Sequence, residues 1–317
     1  MNVTVKQKEI IVKGRVTDET GIKSVRVSGS PARLTNPGSK TSEFSAKLNL
    51  HEGQNRFNVE ASDVKDNVQK MDFTLVYNTA PASSHQLASR GSENRTALVI
   101  GNSNYQFAKL PNAVNDADSL ATELRRIGFD VIHKKDLNQQ GMEEAIDAFG
   151  AKLKSRGGVG MVYYAGHGLQ IGGENYLVPV RSDITKEKDI KYKSVHLGYL
   201  LDELEMAGNG MNIVVLDACR DNPYSTKYRS MKNGLAGIAI APVGTYIAYA
   251  TSPGGVASDG QGLNGLYTQE LLKALRVPGL KIEDVFKIVR TNVRRASNNQ
   301  QIPWENSSLE GNFYFRQ

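Results

Sequence analysis

The chain has 317 residues, 39% hydrophobic and 23% charged, which is ordinary for a water-soluble globular protein and long enough for two domains with cores of their own. The formal net charge of +6 is spread among acidic residues in both halves, so no single-signed face predicts a nucleic-acid partner, and no apolar run reaches the roughly 20 residues of a membrane span. A single cysteine excludes an internal disulfide and a multi-cysteine metal site, and the five histidines, His51, His85, His133, His167 and His196, lack the paired spacing of structural zinc.

The opening residues, MNVTVKQKEIIVKG, lack the charged start, apolar stretch and cleavage site of a signal peptide. As it stands the chain reads as cytoplasmic; an extracytoplasmic place would make it a processed or trimmed form. Residues 1–78 read as short alternating strands over Glu9–Thr17, Lys23–Ser28, Glu43–Leu50, Asn55–Ser62 and Met71–Tyr77, separated by turn signals at Glu19-Thr20-Gly21, Asn36-Pro37-Gly38 and Glu52-Gly53-Gln54-Asn55. The pattern V-x-G-x-V-x-D-x-x-G-I-x-x-V-x-V, from Val12 to Val27, resembles bacterial immunoglobulin-like modules. The resemblance implies a small all-β sandwich that binds another protein or regulates access to the rest of the chain. Residues 79–94, rich in Ser, Ala, Pro and Asn without periodicity, read as a flexible linker.

From Arg95 to the end, apolar strand runs alternate with amphipathic helices, the pattern of an α/β sheet. The predicted strands are Ala97–Gly101, Asp130–His133, Gly160–Ala165, Asn212–Asp217 and Thr245–Ala250. One helix presents Leu120, Ala121, Leu124 and Ile127 on one face and stops at Gly128; a second presents Met142, Ala145, Ile146, Phe149 and Leu153. A third presents Ile282, Val285, Phe286, Val289 and Val293, with Arg290 and Arg294 on its wet side.

Reactive groups in an open α/β sheet sit beyond the carboxyl ends of the strands. Two strands here end on such groups. In VGMVYYAGHG, His167 follows a continuous apolar run between Gly166 and Gly168, and in MNIVVLDACRDNP, Cys219 closes the run before Asn222-Pro223 forces a turn. Alone, each has a plainer reading as a buried thiol or a hydrogen-bonded structural imidazole. Together, at equivalent strand ends, they match what thiol chemistry requires, an imidazole that lowers the thiol pKa or removes its proton. Gly168 lets the backbone approach closely, so its N–H and that of Cys219 can serve a tetrahedral oxyanion. A phosphate loop does not fit, because neither glycine cluster opens a helix with Gly-Lys-Ser/Thr.

These residues carry a family resemblance. The segments TALVIGNSNY, LPNAVNDADSL, VYYAGHG, LDACRDNP, ATSPGGVASDGQGLNGLYTQELLKAL and PWENSSLEGNFYF, in this order, resemble the caspase-like cysteine peptidases of clan CD, peptidase C14 type, nearest the bacterial caspase-like and metacaspase branch. His167 and Cys219 stand 52 residues apart, close to the roughly 50 of caspases. The resemblance implies an α/β caspase-like sandwich, with a mainly parallel sheet of about six strands flanked by helices over residues 95–317. It implies a Cys219–His167 dyad that cleaves peptide or protein substrates through an acyl-enzyme, without a cofactor. The competing readings are a catalytically silent caspase-like scaffold and a hydrolase of small thioesters or amides.

Caspases proper read a P1 aspartate with arginines, and Asp259 stands where one of those would fall. Asp217 and Asp116 match acidic positions that line the S1 pocket in metacaspases. Carboxylates facing a P1 guanidinium form charge-assisted hydrogen bonds, so the resemblance implies cleavage after Arg, then Lys, and little after Asp. The alternatives are that Asp116 caps a helix beginning at Ala117 and that Asp217 supports a loop. Some metacaspases carry a cysteine and a serine where Ala113 and Ala165 stand here. Related enzymes are activated by cutting the loop after the nucleophile; in this chain Lys227, Arg229 and Lys232 are the candidate sites there, and Arg90 and Arg95 are further ones. Calcium activates some metacaspases, but Asp183, Glu187 and Asp189 form no recognisable ligand loop.

Overall fold

The structure, a computed structural model, describes residues 2–5, 8–51, 53–77, 93–106, 108–218, 235–238, 241–252 and 262–317. The chain divides into two units, Met1–Ala88 and Ser89–Gln317. Almost all of the predicted linker lies outside the described residues.

The first unit contains β1 (Asn2–Val5), β2 (Glu9–Thr17), β3 (Ile22–Val27), β4 (Ser30–Pro31), β5 (Arg33–Leu34), β6 (Thr41–Asn49), β7 (Gly53–Asp63) and β8 (Val68–Tyr77). They form one sheet in the order β1-β8-β7-β3-β4 and a second in the order β2-β6-β5, antiparallel except for the β1–β8 pair. Alternation makes the sandwich: Phe44, Ala46 and Leu48 of β6 turn inward at every second position, against Val25, Val27, Val59 and Leu75 of the other sheet. This two-sheet order fits an immunoglobulin-like domain. The sequence missed β1, β4 and β5, whose two to four residues are too short to show a period.

The second unit follows the order β9 (Arg95–Gly101), α1 (Ala113–Arg126), β10 (Asp130–Lys135), α2 (Gln139–Arg156), β11 (Val159–Ala165), β12 (Gly168–Ile171), β13 (Glu174–Leu177), α3 (Glu187–Lys193), β14 (Val195–His196), α4 (Leu197–Ala207), β15 (Met211–Asp217), β16 (Thr245–Tyr249), α5 (Leu266–Leu275), α6 (Ile282–Ala296) and β17 (Trp304–Ser307). The central sheet runs β10-β9-β11-β15-β16-β17, with five parallel strands and an antiparallel β17. β11 and β16 are buried at every position, as a parallel strand covered on both faces must be. Helices α1, α5 and α6 form one covering layer, and α2 and α4 the other. A small antiparallel sheet, β12-β13-β14, leaves the end of β11. No helix among the described residues is long and apolar enough to cross a membrane.

Local chemistry sets the helix ends. Asn138 precedes α2 and accepts a hydrogen bond from the Gly141 N–H at 2.9 Å, and Gly208 ends α4 in the left-handed conformation that L-residues avoid. In α6, Glu283 and Asp284 open the first turn and Arg294 and Arg295 close the last, each complementing the helix dipole. Two expectations need correction. Helix α1 starts at Ala113, so Asp116 lies inside its first turn and does not cap a helix beginning at Ala117. Arg290 is half-buried and ion-paired with Glu305 of β17, so the side of α6 that periodicity alone leaves wet is partly covered there.

Candidate active site

His167 stands where the central sheet ends and the small sheet begins, and its main chain and its ring are both held. Its N–H donates to the Tyr105 hydroxyl at 3.0 Å, and its carbonyl accepts from the Val178 N–H at 2.9 Å and from the Tyr164 hydroxyl at 2.9 Å. The Tyr105 ring lies against the imidazole, with centroids 4.4 Å apart. Ring nitrogen Nε2 lies 2.7 Å from the Ala108 carbonyl oxygen. A carbonyl can only accept, so Nε2 carries the proton, and in the neutral ring Nδ1 is the nitrogen with the basic lone pair. Ala108 itself sits at φ 55°, a left-handed conformation uncommon for a non-glycine residue. Burial keeps the Tyr105 and Tyr164 hydroxyls well above the ordinary phenol range, so both stay protonated.

Strand register brings the two predicted strand ends together. β11 and β15 pair in parallel with Ala165 opposite Asp217, and the Gly166 N–H reaches the Asp217 carbonyl at 3.4 Å. In sequence, His167 and Cys219 each follow that pair by two residues. Cys219 lies outside the described residues, as do Asp259, Lys227, Arg229, Lys232 and Arg90. Its neighbour Ala218 is fully buried. Both glycines around His167 are spatially required. A β-carbon on Gly166 would lie 2.5 Å from the Tyr164 hydroxyl and 2.6 Å from that of Tyr105, and one on Gly168 would lie 2.8 Å from the Ala218 carbonyl oxygen and 2.8 Å from Leu235. Gly168 faces Leu177 across β12–β13. The bond from the Val178 N–H to the His167 carbonyl makes that a non-hydrogen-bonded pair, so the Gly168 N–H points away from β13.

The two described carboxylates converge on the start of α5. Asp116 is fully buried and accepts at Oδ1 from the Gly265 N–H and from Asn264 Nδ2, both at 2.9 Å. Asp217, 4% exposed, accepts at Oδ2 from the Thr268 hydroxyl at 2.9 Å and from the Tyr163 hydroxyl at 3.3 Å, while those two hydroxyls are 2.6 Å apart. Burial, and then the charges of Asp217 and Asp116, push the Tyr163 hydroxyl far above the phenol range. Both carboxylates thus lie at the positive end of a helix dipole. Ala113, in the same helix as Asp116, and Ala165, opposite Asp217 in the β11–β15 register, are both buried.

The other candidates do not join this cluster. Arg95 is the first residue of β9, and its guanidinium donates to the carbonyls of Phe315 at 2.8 Å and Tyr314 at 3.0 Å while lying over Phe129 and Phe313. A residue pinned inside a sheet cannot extend into a protease cleft, so the expectation of processing at Arg95 is withdrawn. Asp189 caps its own helix, accepting from Thr185 and Lys186. Among the described residues no group of three or more His, Cys, Asp or Glu could hold a metal ion.

Residues 94–314, more than half of the chain, match the model of the peptidase C14 family, the caspase domain. The chain belongs to the caspase domain family. Its second unit is therefore a caspase-like fold of a cysteine protease family. The chain is 33% identical over 130 residues to the human mucosa-associated lymphoid tissue lymphoma translocation protein 1, covering 41% of this chain and 15% of that protein. It is 31% identical over 141 residues to the mouse homolog, covering 44% and 16%. The chain thus spans less than a fifth of the length of these curated relatives.

Sequence reasoning missed several residues of this caspase-domain site: Tyr105, Ala108, Tyr163, Tyr164 and Thr268. The tyrosines carried a signal, since two phenols inside a fully buried strand must each find a hydrogen-bond partner. Ala108 carried none, because it contributes a main-chain carbonyl.

Proposed function

We propose that this caspase-domain protein is a cysteine endopeptidase using Cys219 as nucleophile and His167 as base and acid, with a preference for Arg, then Lys, before the cut. The observation that carries the reading is the bond from His167 Nε2 to the Ala108 carbonyl, beside a register that sets Ala165 opposite Asp217. A histidine so held presents Nδ1 to a thiol at the neighbouring strand end. The thiolate attacks the scissile carbonyl, the Nδ1 proton passes to the leaving amine, and water hydrolyses the thioester with the imidazole again as base. The outward Gly168 N–H, with that of Cys219, would receive the oxyanion.

The two carboxylates at the start of α5 support a basic P1, as a guanidinium entering there would meet buried negative charge. Asp259 would add to it. A second reading of Asp116 and Asp217 has an observation of its own: their hydrogen bonds to Gly265, Asn264 and Thr268 anchor α5 whether or not substrate binds. P1 preference separates the two.

The test is turnover of fluorogenic peptides with P1 Arg, Lys and Asp by wild type and Cys219→Ala, with and without calcium. Cleavage after Arg and Lys that is lost in Cys219→Ala is expected. No turnover in either buffer removes the peptidase reading in favour of a scaffold, and turnover only after Asp removes the acidic pocket while leaving the dyad. Self-processing at Lys227, Arg229 or Lys232 would appear by intact mass as two fragments in wild type and one chain in Cys219→Ala.

A further inference from the structure

The loop between β9 and α1 touches His167 twice, through the Tyr105 ring and the Ala108 carbonyl. Its base is fixed: Asp136 Oδ1 accepts from the N–H groups of Ser103 at 2.8 Å and Asn104 at 2.9 Å, and the Ser103 carbonyl accepts from those of Tyr105 at 3.0 Å and Leu110 at 3.2 Å. Above that base, the Tyr105 hydroxyl joins the loop to the main chain that carries the histidine.

The Tyr105 oxygen accepts the His167 N–H at 3.0 Å, and its single proton has the Val178 carbonyl at 3.0 Å. The Tyr164 hydroxyl is 3.3 Å from that of Tyr105 and 2.9 Å from both the Val178 carbonyl and the His167 carbonyl. The Val178 N–H bonds the His167 carbonyl at 2.9 Å. The His167 N–H and carbonyl are both satisfied, and the Tyr105 oxygen is the acceptor of that N–H. Tyr105 is 5% exposed, so water cannot take over its part.

We infer that Tyr105 is a positioning residue for His167, its ring setting the tilt of the imidazole and its hydroxyl locking the histidine main chain to the loop whose Ala108 carbonyl fixes the tautomer. The inference rests on the dyad reading above. It makes Tyr105 part of the rate and of the thiol's reactivity while leaving substrate affinity to the residues around α5. Tyr105→Phe keeps the tilted ring against the imidazole and removes only the oxygen, leaving the His167 N–H without its acceptor. Tyr105→Leu removes both.

The test uses the single thiol. The pH profile of Cys219 alkylation by iodoacetamide is measured in wild type, His167→Ala, Tyr105→Phe and Tyr105→Leu, with thermal melting beside it and peptide kinetics where turnover exists. Expected is an alkylation profile in Tyr105→Phe displaced from wild type toward His167→Ala, with kcat lowered about 10- to 100-fold and KM changed less than about threefold. Tyr105→Phe is expected to melt within a few degrees of wild type, which separates positioning from unfolding; Tyr105→Leu should lie closer to His167→Ala. A Tyr105→Phe profile that superimposes on a displaced wild-type profile would overturn the inference and leave the dyad standing. A wild-type profile already identical to His167→Ala would remove the dyad and this inference with it.

Discussion

Tyr163 and Tyr164 are consecutive residues of β11, both fully buried, yet their hydroxyls serve opposite faces of the sheet. Tyr163 turns to α5, where it shares protons with Thr268 and the Asp217 carboxylate. Tyr164 turns to the other side, where its hydroxyl meets the His167 carbonyl and the Tyr105 hydroxyl. One face carries negative charge suited to choosing a side chain, and the other carries neutral hydroxyls suited to holding a base. The two-residue period of a strand sets the Asp217 partners and the His167 partners on opposite faces of the sheet. Variants on the α5 face should therefore change which peptide is cut, and variants on the Tyr105 face should change how fast.

The largest effect is expected where the two strand ends meet. Gly168→Ala forces a methyl group to within 2.8 Å of the Ala218 carbonyl, so the backbone before Cys219 must shift, and peptide turnover should fall by at least about 100-fold for P1 Arg and P1 Lys alike. A loss confined to one P1 residue would show that the strand ends do not share a site.

A smaller effect, on the α5 face alone, is expected from Thr268→Val, which keeps volume and withdraws a donor from Asp217. Selectivity for P1 Arg over a neutral P1 should fall about tenfold, about 1.4 kcal/mol, while the pH profile of Cys219 alkylation stays in place. Displacement of that profile would break the division between faces.

Tyr164→Phe, on the other face, should lower kcat about three- to tenfold with P1 selectivity unchanged, since the His167 carbonyl keeps the Val178 N–H. Combined with Thr268→Val, the two effects on kcat/KM should be additive; a coupling above about 0.5 kcal/mol would mean that the faces communicate.

A last effect concerns stability rather than catalysis, on the α6 side. Burial raises the Glu305 pKa above the usual glutamate range, against the attraction of Arg290. The contribution of Glu305 to folding is thus fully present below its unfolded pKa and is lost as pH rises through the raised folded value. Arg290→Met should destabilise the protein by about 1–2 kcal/mol at pH 7, an amount discounted for the partial exposure of Arg290, and by less at pH 4. Urea unfolding followed by the fluorescence of Trp304 measures both values.

What the sequence determined by itself was the long strands, the helices α1, α2 and α6, and the reactive ends. The runs before His167 and Cys219 are buried at nearly every position, so their apolar continuity marks them as inner strands without knowledge of their neighbours. The glycines beside His167 were legible for a related reason, since only a residue without a side chain lets hydroxyls and a neighbouring carbonyl come so close. Asp116 was legible as a carboxylate of interest, but its partners Asn264 and Gly265 were not, because they lie 148 and 149 residues away. Tyr105 and Ala108 stayed hidden as holders of His167 on the same ground, the first being 62 residues distant and the second acting through a carbonyl that every residue possesses. Periodicity reports which face of an element is buried; only the tertiary structure, through strand register and the path of the β9–α1 loop, decides what each buried polar group meets there.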